Sequence, residues 1–223
     1  MNPEALRLSA IVLDFDGVIL ESVDIKTEVF RELFAPHKDQ LSRILEYHTT
    51  HNGISRIIKL KHIFEEFLNI PYTLELERQT TERFSQLAFD RVLHCPFVAG
   101  AEAFLEQFSK TYPLYVASAS PHEELLRVIR ARNLERFFAG VYGHPTNKRQ
   151  VLERVCLAHQ ATPDHILYIG DSQEDLQVAR DTGVRFAGRR NKEVLPENGI
   201  SVFNDLSEIR QWIESGAMKN SLV

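Results

Sequence analysis

The sequence predicts an α/β fold, a doubly wound parallel sheet with a helical segment inserted between its first two strands. Short and almost continuously apolar runs alternate with helical patterns in the second half of the chain, which is typical of a parallel sheet covered on both faces. Between residues 22 and 95, apolar residues recur at helical spacing with almost no strand signal. The 223 residues are enough for one core and a small second domain.

Four runs rich in β-branched or aromatic residues predict the strands. They are AIVLDF (10–15), LYVASA (114–119), HILYIGD (165–171) and VRFAG (184–188). Helical patterns precede the second run and follow the second and the third. The last of these patterns ends at Gly183, a residue type that commonly ends helices.

The helical patterns of residues 22–95 interrupt this alternation. Roughly seventy residues are too long for one crossover connection between neighbouring strands. We therefore predict two domains, an α/β core of residues 1–21 and 96–223 and a helical cap of residues 22–95. A single continuous domain is the alternative.

Composition and charge limit the classes of function that are expected for this protein. The formal net charge of -5 and the pI near 6.0 do not favour nucleic-acid binding. Cys95 and Cys156 are isolated and form no metal-binding pattern, as expected in a reducing compartment. No apolar stretch approaches the length of a membrane span or of a signal peptide. The expectation is a cytoplasmic protein that binds neither nucleic acid nor membrane.

Polar residues gather where the predicted strands end, which is where ligands bind in such sheets. Carboxylates, a hydroxyl and an amine together suit a hard divalent cation and a phosphate. Exposed strand ends and helix caps are the alternative for the carboxylates, and Lys110, Lys192 and Arg149 are alternatives for the amine. The candidate residues are Asp14, Asp16, Ser118, Ala119, Lys148, Asp171 and Asp175.

Four of these segments, in this order, resemble the defining motifs of the haloacid dehalogenase superfamily. They are DFDGV at 14–18, Ser118 after a hydrophobic strand, Lys148 at the start of a helix, and GDSQED at 170–175. The resemblance covers about residues 9–190, and the helical segment lies where this superfamily places its helical cap. It implies a Rossmann-like core, a Mg²⁺ cofactor and phosphoryl transfer.

The resemblance also implies a role for each residue. Asp14 would be the nucleophile that forms an aspartyl phosphate, and Asp16 the general acid and then the general base. Asp14, the backbone carbonyl of Asp16, and Asp171 would bind the metal. Ser118, Ala119 and Lys148 would bind the phosphoryl group, and Asp175 would orient Lys148 or a water on the metal.

A second segment, Gly53-Ile54-Ser55-Arg56, is similar to a cap loop of phosphoglucomutase-like relatives. In those relatives the arginine binds a second anionic group of the substrate, which makes Arg56 a candidate substrate-binding residue. The alternative is that Gly53 ends a helix and that Arg56 is a solvated residue at the start of the next one.

Taken together, the resemblance implies a Mg²⁺-dependent phosphatase of a small phosphorylated metabolite, such as a sugar phosphate or a phosphoglycolate-like acid. A phosphomutase is the nearest alternative, but mutase relatives have a histidine where this chain has Lys26. A dehalogenase does not need Asp16, and a phosphonatase needs a cap lysine in a motif that Lys59 and Lys61 do not match. A catalytically silent regulatory protein would be expected to lack Asp14 or Asp16.

Overall fold

The computed structural model describes residues 8–51, 54–192, 194–196 and 199–220. The described residues form one parallel sheet of six strands. The strands are β1 Ala10–Leu13, β2 Leu114–Pro121, β3 Phe138–His144, β4 Ile166–Gly170, β5 Arg185–Arg189 and β6 Ser201–Phe203. Their order across the sheet is β3-β2-β1-β4-β5-β6. The prediction of a doubly wound parallel sheet is therefore confirmed.

The first strand lies at the point where the winding of the sheet reverses. Leu13 of β1 is in register with Val116 of β2 on one side and with Ile169 of β4 on the other. The carboxyl ends of these three strands therefore meet at one edge of the sheet. In open α/β sheets a crevice forms at this edge, and ligands bind there.

Helices cover both faces of the sheet and fill the connection between its first two strands. They are α1 Val23–Leu33, α2 Lys38–Thr50, α3 Arg56–His62, α4 Leu74–His94, α5 Ala101–Phe108, α6 His122–Ala131, α7 Lys148–Ala158, α8 Gln173–Thr182 and α9 Leu206–Glu214. A π-helical turn, Ile63–Phe67, continues α3. Within the described residues no helix has both the length and the apolarity needed to cross a bilayer.

Alternate residues of β1 belong to two different apolar cores. Ile11 and Leu13 pack in the core that includes side chains of α5, α6 and α9. Ala10 and Val12 point the other way, into the core formed with α7 and α8. Because successive side chains of a strand point to opposite faces, this division shows helices on both sides of the sheet.

The described helices between β1 and β2 pack on one another through apolar side chains that are rich in phenylalanine. Phe30 of α1 packs edge-on against Phe84 of α4, with ring centroids 5.2 Å apart. Phe34 of α1 lies 5.6 Å from Phe64, in the turn after α3. This packing is continuous with the main core of the sheet, so α1–α4 are held against the strands by apolar contact.

His48 of α2 is buried where these helices meet the cavity described below. Its ring stacks on Phe30 with centroids 4.1 Å apart, and Nε2 lies 3.2 Å from the hydroxyl of Thr27. Burial, together with the nearby ammonium groups of Lys59 and Lys26, lowers the pKa of His48 from 6.5 to about 2. The folded protein therefore holds a neutral imidazole that the unfolded chain would protonate below pH 6.5.

We expect His48 to make the protein less stable in mild acid. An imidazole whose pKa is lowered on folding contributes stability above its unfolded pKa, and that stability is lost as the pH falls. Below about pH 6.5 the free energy of unfolding should decrease by about 1.4 kcal/mol for each pH unit through this residue. Urea unfolding of wild type and His48→Gln between pH 8 and 5 measures the difference in slope. Equal slopes would contradict the expectation, and His94→Gln, on the exposed end of α4, is the matched control.

Candidate active site

Two buried carboxylates extend from the centre of the sheet at its carboxyl edge. Asp14 follows β1 directly, and its backbone N–H donates to the carbonyl of Ile169 on β4, 2.9 Å away. Asp171 follows β4 and is also buried. The structure thus brings together two residues that the sequence placed at the ends of separate strands 157 positions apart.

Lys148 links Asp14 to Asp175. Its ammonium group donates to Oδ2 of Asp14 at 2.8 Å and to Oδ1 of Asp175 at 2.5 Å. Lys148 begins α7, whose N-terminus is fixed by a capping box between Asn147 and Gln150. The two carboxylates outweigh the effect of burial and keep the pKa of Lys148 well above its usual value. Lys148 is therefore a fixed cation beside Asp14.

Asp175 stabilises the position of Lys148. It is fully buried in the first turn of α8, where it forms a capping box with Ser172. Its carboxylate also accepts a hydrogen bond from the hydroxyl of Tyr168 on β4. Burial raises the pKa of Asp175, but the charge of Lys148 and these hydrogen bonds bring it below the usual value. Asp175 therefore holds Lys148 in position as an ionised partner.

The carboxylates of Asp14 and Asp171 are in an electrostatically unfavourable position. Burial raises the pKa of Asp14 to about 7, in spite of the opposing charge of Lys148. Burial and the neighbouring charges of Asp14 and Asp175 raise the pKa of Asp171 well above its usual value. One carboxylate oxygen from each of these three residues lies within 4.8 Å of the others. Carboxylate oxygens of this kind are the ligands that a hard divalent cation prefers.

The backbone turn after Asp16 closes against this cluster. Gly17 has a positive φ of 79°, and a Cβ atom at this position would overlap with Oδ2 of Asp171. Asn191 donates a hydrogen bond to the same oxygen. These contacts fix Asp171, and its carboxylate oxygens together with those of Asp14 form an oxygen-lined cradle of the type that a small hard cation binds.

Asp16 lies at the opening of the site, with its side chain 15% exposed. It accepts hydrogen bonds from Ser22 at 2.5 Å and from Ser120 at 2.9 Å, and it forms an ion pair with Lys26. Burial acts to raise the pKa of Asp16, but the charge and hydrogen bond of Lys26 outweigh it, and the pKa lies below its usual value. Lys26 belongs to α1, so a helix of residues 22–95 completes the surroundings of Asp16.

Ser118 and Ala119 lie on β2, next to these carboxylates. The hydroxyl of Ser118 accepts a hydrogen bond from the backbone N–H of Ser120 at 3.1 Å, and it lies 3.5 Å from Oδ2 of Asp16. Ala119 lines the cavity in front of Asp14. A hydroxyl and backbone N–H groups at the end of a strand are suited to bind an anion.

The cavity in front of these residues continues between the sheet edge and helices α1–α4. Its far wall is largely apolar, with Phe30, Phe84, Phe89 and Val92 among the lining side chains. Lys59 of α3 is buried in the same wall, with its ammonium group 3.3 Å from Nδ1 of His48. The cavity therefore offers polar oxygen atoms at one end and mainly apolar side chains at the other.

Arg56 lines this cavity and is only 8% exposed, so the alternative of a solvated surface residue is wrong. Its guanidinium group donates to both carboxylate oxygens of Glu124, at 2.6 and 3.1 Å. The sequence suggested an arginine available to the substrate, whereas the structure pairs it with the protein's own carboxylate. Gly53, at the start of the same predicted loop, lies outside the described residues.

Sequence reasoning assigned no contact to Lys26, Glu124, Tyr168 or Asn191. In the sequence Lys26 is only a departure from mutase relatives, and its contact with Asp16 depends on how α1 packs against the sheet edge. Glu124 is in the first turn of α6, six residues after Ser118, and this proximity is the one signal that could have indicated it. Its partner Arg56 is 68 positions away, which no local pattern reveals.

Comparisons with known proteins agree with this architecture. The family model for haloacid dehalogenase-like hydrolases matches residues 11–189. A phosphorylated carbohydrates phosphatase of Thermotoga maritima is 22% identical over 224 residues, covering 95% of this chain and 93% of that protein.

Two of the solved structures that share the fold are similar over nearly the whole chain. One is a predicted phosphoglycolate phosphatase from Haemophilus somnus, with a TM-score of 0.73, 16% identity, and coverage of 95% of this chain and 100% of that one. The other is a β-phosphoglucomutase from Clostridium difficile, with a TM-score of 0.73, 18% identity, and coverage of 94% and 96%.

Proposed function

Since the chain belongs to the haloacid dehalogenase-like hydrolase family, we propose that it is a Mg²⁺-dependent phosphatase of a small phosphorylated metabolite that acts through a phosphorylated Asp14. The observation that carries this proposal is the contact of Asp14 with Lys148 beside the carboxylates of Asp16 and Asp171. This grouping combines a nucleophile, an acid–base group and a fixed cation at one end of a cavity.

The proposal assigns Mg²⁺ to the oxygen-lined cradle. Asp14 and Asp171 would hold the ion through carboxylate oxygens, and Asp16 through its backbone carbonyl. The raised pKa values of Asp14 and Asp171 support this assignment, because burial and the neighbouring carboxylates disfavour their ionised forms, which a bound cation would stabilise. When bound, Mg²⁺ would supply positive charge and allow the dianionic phosphate to approach two carboxylates.

In the first step Asp14 would attack the phosphorus atom. A carboxylate oxygen of Asp14 forms the new P–O bond, the ester P–O bond breaks, and Asp16 donates its proton to the departing alcohol oxygen. Asp16 must be neutral for this step. The negative charge of the incoming phosphate favours the neutral form, because a nearby anion raises the pKa of a carboxyl group.

In the second step Asp16, now ionised, would remove a proton from water. The water oxygen forms a bond to phosphorus, the bond to Asp14 breaks, and inorganic phosphate and the Asp14 carboxylate are produced. The ion pair with Lys26 suits this step, since it favours the ionised base. Lys148, Ser118 and the N–H of Ala119 would stabilise the charge on the phosphoryl oxygens in both steps.

The proposal assigns binding of the leaving group to the predicted cap of residues 22–95, with residues 1–21 and 96–223 as the catalytic core. The aromatic packing among α1–α4 supports this division, as does the position of their side chains in the cavity wall. Residues that bind the leaving group would then lie on different elements from those that act on phosphorus.

A phosphomutase is the second candidate, favoured by the shared fold with the β-phosphoglucomutase structure. Such an enzyme must exclude water from the phosphorylated aspartate until the sugar phosphate has changed its orientation in the site. Release of inorganic phosphate from a hexose 1-phosphate identifies a phosphatase, whereas formation of the 6-phosphate isomer identifies a mutase.

The test is phosphate release from a panel of phosphorylated metabolites and p-nitrophenyl phosphate, with Mg²⁺, with Ca²⁺ and after chelation. We expect Mg²⁺ to support turnover and chelation to lower it by about a hundredfold or more. Ca²⁺ should support much less, since its longer and looser coordination would misplace Asp14.

The variants Asp171→Asn and Asp181→Asn form a matched pair for this test. Asp181 lies on the exposed surface of α8, where, within the described residues, it accepts hydrogen bonds from Arg149 and Gln177, so its loss should leave the Mg²⁺ requirement as in wild type. Asp171→Asn should raise the Mg²⁺ concentration that gives half-maximal activity. Full activity after exhaustive chelation would refute the metal assignment.

A further inference from the structure

Glu124 places a negative charge on the cavity wall where Arg56 would otherwise face the leaving group. It lies in the first turn of α6, directly after the β2 segment that contains Ser118 and Ala119. Its carboxylate accepts two hydrogen bonds from Arg56 and a third from Ser85, at 2.5 Å. The chain itself therefore supplies the anion that neutralises Arg56.

This ion pair is held more firmly than an ordinary surface pair. Arg56 is 8% exposed and Glu124 27%. The guanidinium carbon lies 4.3 Å from the centre of the ring of Phe84, next to Ser85 on α4, so that α4 contacts both members of the pair. Two-point pairing between arginine and a carboxylate adds orientation as well as energy. The geometry leaves both terminal nitrogens of Arg56 occupied by a carboxylate that is always present, while its Nε has no hydrogen-bond partner among the described residues.

The other side chains of this wall are mainly apolar, and the further cation Arg127 is stacked on the ring of Phe89. Phe30, Phe84 and Val92 are apolar, and the ammonium group of Lys59 is directed at His48. A second anion that approached Arg56 would have to displace Glu124 or stay beside it. Displacement leaves a carboxylate without its partners, and like charges side by side are also unfavourable.

We propose that Glu124 is a specificity-determining residue that excludes substrates with a second anionic group. The substrate class is then the phosphate monoesters of uncharged alcohols, rather than bisphosphates or phosphorylated acids. This inference rests on the proposed phosphatase function, and it replaces the expectation that Arg56 binds a second anion of the substrate.

The experiment compares pairs of substrates that differ in the second anion. The pairs are 2-hydroxyethyl phosphate with 2-phosphoglycolate, and fructose 1-phosphate with fructose 1,6-bisphosphate. For wild type we expect kcat/KM to be about tenfold or more higher for the uncharged member of each pair. Glu124→Gln keeps the shape of the side chain and removes its charge. The kcat/KM for the anionic substrate, divided by that for the uncharged substrate, should therefore rise by roughly ten- to hundredfold.

Two further variants show whether the change comes from Arg56. Glu123→Gln removes the same charge from the exposed neighbouring position of α6 and should retain the wild-type ratio. Arg56→Ala added to Glu124→Gln should cancel the gain, because the anion then has no partner. A merely structural role of Glu124 would lower kcat/KM for both members of a pair and leave their ratio unchanged.

Two results would overturn the inference while leaving the phosphatase function intact. One is a wild-type enzyme that prefers the doubly anionic substrates, a comparison that requires no variant to fold. The other is an unchanged ratio in Glu124→Gln or, if that variant is unstable, in Glu124→Ala. Failure of wild type to release phosphate from every substrate, p-nitrophenyl phosphate included, would instead refute the proposed function and this inference with it.

Discussion

Replacing Asp14 with asparagine is expected to lower phosphate release by about four to six orders of magnitude. Asparagine has nearly the same volume, so the packing at the end of β1 should be preserved. Its amide is a poor nucleophile and cannot form the acyl phosphate. The measurement is kcat/KM with saturating Mg²⁺, on the best substrate of the panel and on p-nitrophenyl phosphate.

Thermal unfolding of the metal-free protein distinguishes lost chemistry from lost structure. Because burial raises the pKa of Asp14 to about 7, its ionised form is unfavourable in the folded state above that pH. Asp14→Asn removes this cost, and Lys148 keeps its contact with Asp175. At pH 8 in chelator, Tm should therefore be no lower than that of wild type. Turnover within tenfold of wild type would refute the covalent role of Asp14.

Replacing Asp16 with asparagine should have an effect that depends on the leaving group. Alkyl phosphates need a proton on the departing oxygen, so their turnover should fall by about two to four orders of magnitude. p-Nitrophenolate leaves without a proton, and phosphorylation of Asp14 should continue. Without a general base the second step should stall.

Rapid mixing of Asp16→Asn with p-nitrophenyl phosphate should then give a burst of about one nitrophenolate for each active site, followed by slow turnover. Intact-mass measurement of the quenched protein should detect the phosphorylated enzyme. Asp24→Asn, an exposed change on α1 that removes a surface pair with Lys192, is the matched control and should turn over without a stall. Steady wild-type turnover by Asp16→Asn would exclude its acid–base role.

The fold could be predicted from the sequence wherever strands are buried on both faces. β1 and β4 are buried at every residue, and their apolar runs are continuous. β3 was missed because it is an edge strand, with one buried residue among seven and two glycines. β6 was not predicted either, because it has only three residues, all half-buried, and α9 follows it. Such short edge elements form through pairing with the sheet, and their own residues show little pattern.

The core of the candidate site could be predicted because its residues follow strands or begin helices. Asp14, Asp171 and Lys148 owe their proximity to the parallel arrangement of the sheet, which the sequence pattern indicates. The contacts across the cavity could not be predicted in this way. The pairs Arg56–Glu124 and Lys26–Asp16 depend on how α1–α4 pack against the sheet edge, and this packing is determined by apolar contacts spread over many residues.

The position of Lys26 affects the design of chimaeras that exchange the inserted helices between enzymes of this family. It belongs to the inserted helices by position, yet its ammonium group reaches Asp16 and the hydroxyl of Ser120 in the core, the latter at 2.7 Å. A chimaera that carries α1–α4 of another chain on this sheet would lose this partner of Asp16 along with the residues around the leaving group. The exchange would change specificity and the proton affinity of Asp16, the proposed acid–base residue, together. A graft that begins after α1 should therefore preserve the rate better than one that begins at residue 22.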